Sequence, residues 1–352
     1  VTVPTKEEIA TLLKGMKSLD VKPYEDKVNN EPLMSEAPKG GQIISEKANA
    51  LFGATELTLS NGIKVYVKQT DFKADEILMK GYSLGGTSVF EDADKLNFTV
   101  MSQIMDMSGV GNFSNTDLTK MLAGKKVMVH ANVGKLTQGV NGSCSPKDFE
   151  TMMQLVYLGF TAPRKDAEAF ESWKSRTKAQ LESAEANPVY SINDSLGYAM
   201  YGNHPRFLNL KANMIDQVSL DRVYQMYLER YANAGDFTFF FVGNIDLEAA
   251  KPLIASYLGS LPSTGKKGKW IDHKMNIAKG QIVNEYAKEQ QTPMATNFML
   301  YSGTMDYTQR NLQLLNLLVS TLNIVYTEEI REKEGGTYGV SCMQSFNKLP
   351  QP

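Results

Sequence analysis

Hydrophobic positions recur at helical spacing at the start of the chain. Across residues 5–19 (TKEEIATLLKGMKSL), Ile9, Leu12, Leu13 and Met16 share one face, which predicts a short amphipathic helix. Thr5, three residues before Glu8, suits a capping box. Residues 20–54 carry Pro, Gly, Asn and charge with little periodicity and read as a linker tied down along a surface. Compact structure is expected from Glu56. There, ELTLSNGIKVYVKQT places two β-rich runs either side of Ser60-Asn61-Gly62, a hairpin signal. EILMKGYSLGG (76–86) is a further strand ending in glycines, and 95–108 and 116–123 read as helices. KKVMVHANVGKLTQGVNGSCS (125–145) alternates like paired strands, with His130 packed inside it.

Ser145-Pro146-Lys147-Asp148 starts a helix, because it joins an N-cap serine, a proline at the first position and an acid. Phe149, Met152, Met153, Val156 and Phe160 form its inner face. A longer helix over 165–186 repeats Phe170, Trp173, Thr177 and Leu181 and ends at Pro188. Residues 189–233 read as mostly helical. In 236–262 a buried strand (Phe237 to Val242) meets Gly243-Asn244, and Asp246 then caps a helix with Leu247, Ala250, Ile254, Tyr257 and Leu258 inward. Pro252 falls mid-helix and bears on its straightness. TGKKG (264–268) is a polar break, placed as a domain boundary. After it come strands at 281–286 and 294–302, a long helix over 306–330, and the run Arg331-Glu-Lys-Glu-Gly-Gly-Thr-Tyr338-Gly-Val. This is too little for a finished domain of that type, so the C-terminus reads as a truncation. The element order predicts an α+β fold. It divides into an N-terminal helix and linker (1–54), an α+β domain (55–263) and a partial second α+β domain (269–352).

Composition narrows the function. Lysine and arginine total 37 against 39 acids, a net charge of −2, which argues against nucleic acid or an anionic membrane as the main partner. No apolar run is long enough to span a membrane, and no signal peptide is visible. The two cysteines, Cys144 and Cys342, lack metal-type spacing and read as idle thiols. The three histidines, His130, His204 and His273, are far apart, so a histidine metal site built by this chain is not expected.

Three stretches carry a resemblance. LTLSNGIKVYV, FFFVGNIDLEAA and above all REKEGGTYGV resemble, in order, the pitrilysin/insulinase-type zinc metallopeptidases, or inverzincins. The resemblance runs over about residues 55–352. It implies two homologous halves, each of two α+β domains, closing around a peptide chamber. It also implies that one half carries H-x-x-E-H with a later glutamate for zinc, and that the other has lost this motif and contributes an arginine and a tyrosine. In this chain the slot for the zinc motif reads Val100-Met101-Ser102-Gln103-Ile104. Valine and isoleucine offer no ligand atom, and Gln103 cannot act as a general base. Glu182 falls near the place of the third ligand and reads as a solvated helix residue. The resemblance therefore implies the non-zinc C-terminal half of a zinc endopeptidase. Its zinc would be bound by an N-terminal half absent from this chain, its partners would be that half and a peptide substrate, and its location would be a bacterial periplasm or envelope.

Arg331 and Tyr338 lie seven residues apart, the spacing the family uses. A tyrosine hydroxyl can donate to the oxyanion of peptide hydrolysis. An arginine fork can hold substrate carbonyls in register. Gly335 and Gly336 allow a sharp turn and the close approach of a substrate chain. A charged helix end followed by a glycine stop accounts for the same residues by structure alone. A non-catalytic scaffold or partner subunit of the same superfamily is the alternative role.

Overall fold

Strands drawn from both ends of the region between Ile43 and Gly243 meet in one seven-stranded sheet. The structure, a computed structural model, describes residues 4–16, 31–289 and 292–349. The strands are β1 (Ile43–Asn49), β2 (Ala54–Leu59), β3 (Lys64–Gln69), β4 (Ile77–Leu84), β5 (Val127–Val133), β6 (Thr137–Cys144) and β7 (Thr238–Gly243). Their order is β1-β2-β3-β7-β4-β6-β5. β3 and β7 are parallel, and the other neighbours are antiparallel. The helices are α1 (Lys6–Met16), α2 (Lys95–Ser108), α3 (Asn115–Met121), α4 (Phe149–Thr161), α5 (Ala167–Glu185), α6 (Ser191–Tyr201), α7 (Leu220–Tyr231), α8 (Leu247–Leu253) and α9 (Gln309–Tyr326). The fold is α+β, as the element order implies.

Alternation decides which face of the sheet is buried. Leu57 and Leu59 of β2, Val65 and Val67 of β3, and Phe239 and Phe241 of β7 point to one side and are buried. Met152 and Val156 of α4, Val223 and Met226 of α7, and Ile254 complete that core. Phe160 anchors its centre, edge-on to Tyr231 at 5.1 Å and to Phe237 at 5.0 Å. The buried Tyr231 hydroxyl donates to the carbonyls of Gly139 (2.7 Å) and Asn132 (3.1 Å), so it satisfies itself and ties α7 to the β5–β6 hairpin.

Turn chemistry fixes the β2–β3 register. Gly62 has φ 95°, a left-handed conformation that suits glycine. Asn61 donates its side-chain amide to the carbonyls of Leu258 and Leu261, pinning the hairpin to the segment after α8.

Several expectations change. Residues 43–49, expected within the linker, form edge strand β1, paired to β2 through a register shift between Ile43 and Ser45. That irregular, mostly exposed strand lacks the clean alternation that would have marked it. The expected helix over 5–19 is present as α1 and carries its capping box, with Thr5 and Glu8 exchanging hydrogen bonds. Residues 17–19 of that helix and 20–30 of the linker lie outside the described residues. Within 189–233, residues 202–211 are not helical. At Pro252 helix α8 gives way to a widened turn over Ile254–Leu258, because the proline ring has no N–H for the i−4 carbonyl.

The larger difference lies beyond 264. The segments 281–286 and 294–302 form no strands. A strand is stabilised by a neighbour, and neither segment has one here. Ile282, Val283 and residues Phe298 to Tyr301 are accordingly exposed. The segment after Tyr338 is likewise not a strand.

Candidate substrate-contact site

Helix α2 holds the slot that the resemblance assigns to a zinc motif. Val100 and Ile104 are each 1% exposed and sit in the hydrophobic core, while Gln103 faces solvent. Aliphatic side chains at those positions stabilise the packing of α2 against α7 and offer no donor to a cation. Glu182 is exposed on α5. Among the described residues, no three His, Cys, Asp or Glu side chains converge as a metal site. The residues in that slot therefore do not fit zinc.

The histidines are taken up in local contacts. His130 Nδ1 lies 2.8 Å from Asp106 Oδ1 at the sheet edge. His204 Nε2 contacts the His273 carbonyl oxygen at 2.9 Å, and His273 Nε2 contacts that of Ser88 at 2.6 Å. Together they hold the segment around 273 against the loop that follows β4. Burial pushes the Cys144 thiol up to about 12, which makes it unreactive.

The loop after β4 is fastened by arginines. Arg206 donates to the carbonyls of Phe90 and Thr87 and to Asp92. Arg222 grips Asp94 with two hydrogen bonds, 2.9 and 2.5 Å long.

Arg331 and Tyr338 sit at the far end of α9. Thr308 caps that helix, accepting the Asn311 N–H at 3.1 Å. A widened turn over Thr327–Lys333 follows, and Arg331 lies within it, its Nε 3.5 Å from Glu332 Oε1. Gly335 then adopts φ 62°, the left-handed stop that a helix end requires. A Cβ built on Gly336 would meet nothing within 4 Å, so no contact inside the chain demands glycine there. Thr337 Oγ1 both donates to the Gly339 carbonyl and accepts its N–H, folding the backbone tightly around Tyr338. The Tyr338 side chain is fully exposed, at 102%. Asn323 of α9 holds the segment beyond, donating to the Cys342 carbonyl (2.9 Å) and accepting its N–H (2.7 Å). Arg331 thus lies in the widened turn before the Gly335 stop and Tyr338 lies after it, both open to solvent.

Sequence reading passed over the outward positions of the strands. Tyr66, Phe240 and Tyr82 stack there across three adjacent strands. The signal was available, since period-two alternation sets them opposite Val65, Phe239 and Gly81.

Residues 217–348 match the family described as peptidase M16 inactive domain, a span that includes α7, β7, Arg331 and Tyr338. A zinc protease PQQL-like protein of Arabidopsis thaliana is 27% identical over 69% of this chain and 23% of its own length. A probable zinc protease PqqL of Haemophilus influenzae is 21% identical over 95% of this chain and 36% of its own length. The chain thus spans about a third or less of these relatives. The structure of the periplasmic protease PqqL from Escherichia coli superposes with TM-score 0.74 over 98% of this chain and 38% of that one, at 20% identity. That last likeness is one of fold. The resemblance to the non-zinc half of this peptidase family is borne out, and zinc belongs to proteins this chain is similar to.

Proposed function

We propose that this chain closes the peptide chamber of a zinc-dependent endopeptidase as its non-zinc half, presenting Arg331 and Tyr338 to a substrate held by a zinc-bearing half. The observation that carries the reading is the display of the loop. Tyr338 is fully exposed and Arg331, also exposed, lies 3.5 Å from its neighbour Glu332, inside the segment that matches the M16 inactive domain. The two flank the glycine stop at Gly335, in the order and at the spacing that the family resemblance implies.

Each has a defined task in peptide hydrolysis. The Tyr338 hydroxyl donates to the carbonyl oxygen as it becomes an oxyanion. Arg331 supplies fixed donors to substrate carbonyls and keeps the scissile bond in register. Metal ligation and proton abstraction from water belong to the other half, because Val100, Gln103 and Ile104 can do neither. The likeness to zinc proteases named PqqL supports metalloendopeptidase activity for the whole protein, and the periplasmic description of one supports a bacterial envelope location. The domain division at 263/269 is part of the same reading, with the Arg331–Tyr338 loop in the second unit.

Tyr338→Phe in the full-length protein tests the role. The expected result is a fall in kcat of about 10²–10³ with peptide affinity little changed, as for loss of one oxyanion donor. Unchanged cleavage of every peptide tried would overturn it in favour of a scaffold.

A further inference from the structure

Residues 264–273 (TGKKGKWIDH) have the composition of a free tether, yet their backbone is fastened at close intervals to the unit before them. Asn233 accepts the Thr264 N–H at 2.9 Å and donates to the Lys266 carbonyl at 2.7 Å. Asp236 Oδ2 accepts the Gly268 N–H at 2.8 Å. The Ser88 hydroxyl accepts the Ile271 N–H at 2.9 Å. His204 reaches the His273 carbonyl. Its Nδ1 takes the Arg206 N–H, so Nε2 carries the proton and donates. Five backbone groups in ten residues are thus bonded to four side chains, all of them in the unit before residue 264. The attachment is complete within this chain.

Asp236 is held in place from the sheet. Its side chain is 9% exposed, and the Ser83 hydroxyl of β4 donates to the same Oδ2 at 2.7 Å. Lys267 lies over it, 3.3 Å from Oδ1. Gly268 marks the closest approach. A Cβ there would sit 2.5 Å from the Leu84 carbonyl oxygen and 2.7 Å from Asp236 Oδ2, so glycine is what permits the contact.

The fastening ends at His273. Lys274 takes φ 56°, the one positive φ outside glycine among the described residues, and Gly280 takes φ 91°. Between these two turns, among the described residues, one backbone hydrogen bond reaches the first unit, from the Ala278 N–H to the Met200 carbonyl at 2.8 Å.

We propose that residues 264–273 are a fixed strap, locked by Asn233, Asp236, Ser88 and His204, and that the movable joint between the two units of this chain lies beyond it, at Lys274–Gly280. The polar break at 264–268 then separates the units in sequence without being the place where they flex. Any swing of the second unit starts from a strap that stays with the first. The inference stands on the strap's own contacts and holds whether or not Tyr338 takes part in cleavage.

Limited trypsin digestion of the 352-residue chain tests it, with the initial rate at each bond followed by mass spectrometry. A protease needs the backbone free, and the Lys267 and Lys274 side chains are equally exposed, at 74% each. Cleavage after Lys274 and Lys279 should therefore be about tenfold faster or more than after Lys266, Lys267 and Lys269. Asn233→Ala and Gly268→Ala should each raise cleavage after Lys266, Lys267 and Lys269 by about the same factor and leave the rates after Lys274 and Lys279 unchanged. Circular dichroism establishes that both variants are folded. Hydrogen exchange on the parent gives a reading that needs no variant: the Gly268 and Ile271 amides should exchange more slowly than those of Met275 and Lys279. Cleavage within 264–269 as fast as after Lys274, folded variants that cut like the parent, or equal exchange on the two sides of His273 would each overturn the proposal.

Discussion

Val133 donates its backbone N–H to the Ser102 hydroxyl across 3.0 Å. Val133 ends the edge strand β5, and the adjacent Gly134 N–H is spent on the Thr137 carbonyl of β6. The Val133 N–H therefore points out of the sheet, where it would lack a partner without α2. Ser102 occupies the middle of the segment Val100–Ile104, so this helix now closes the end of an exposed strand. Ser102→Ala should destabilise the chain by about 1–2 kcal/mol, the cost of orphaning a part-buried donor. Urea unfolding measures it, and an unchanged midpoint would show that water replaces the serine.

The Asp94–Arg222 pair makes a pH-dependent contribution. Hydrogen bonds from Arg222 hold the Asp94 carboxyl below the usual carboxylate range, against the opposing effect of burial. The folded pKa is lower than the unfolded value of about 3.9, so the stabilisation is present above that value and is lost as pH falls through the folded pKa. Asp94→Asn should cost about 1 kcal/mol at neutral pH, allowing for the partial exposure of Arg222. Unfolding midpoints of the variant and the parent should converge at acid pH. A gap that persists at low pH would assign the effect to packing instead.

Two glycines should respond to alanine with opposite signs. A Cβ on Gly81 would sit 2.5 Å from Cε1 of Phe239, a ring fully buried beside it in β7. Gly81→Ala is expected to cost about 1–3 kcal/mol through overpacking. A Cβ on Gly159 of α4 meets nothing within 4 Å, so Gly159→Ala should stabilise by about 0.5–1 kcal/mol. Thermal unfolding of the two variants distinguishes these outcomes. A destabilised Gly159→Ala would refute the helix-propensity argument.

Much of the fold was legible because its core elements carry strong local signals. The Asn61-Gly62 turn, the Asp246 cap and the apolar face of α4 each declare themselves in a few residues, and each was found where expected. β1 was not legible, since its seven residues bury little and its register slips. The β-rich runs 281–286 and 294–302 show the opposite failure. Strand propensity states only that a segment suits a pleated surface, and pairing depends on a neighbour that these segments lack here. At the site, the chemistry of Arg331 and Tyr338 was readable from residue type and spacing. Their exposure was not, because it depends on how the Gly335 turn and the Thr337–Gly339 hydrogen bonds aim the loop. The aromatic stack of Tyr66, Phe240 and Tyr82 was written in the alternation of β3, β4 and β7, but only the sheet order brings those three strands side by side.

The most direct test of the central claim is metal analysis and peptide hydrolysis on the purified 352-residue chain incubated with zinc. With Val100 and Ile104 buried in the core and Gln103 in place of a base, the chain should retain only trace zinc after gel filtration and should cleave no peptide. Stoichiometric zinc together with peptide cleavage would contradict the assignment of this chain to the non-zinc half.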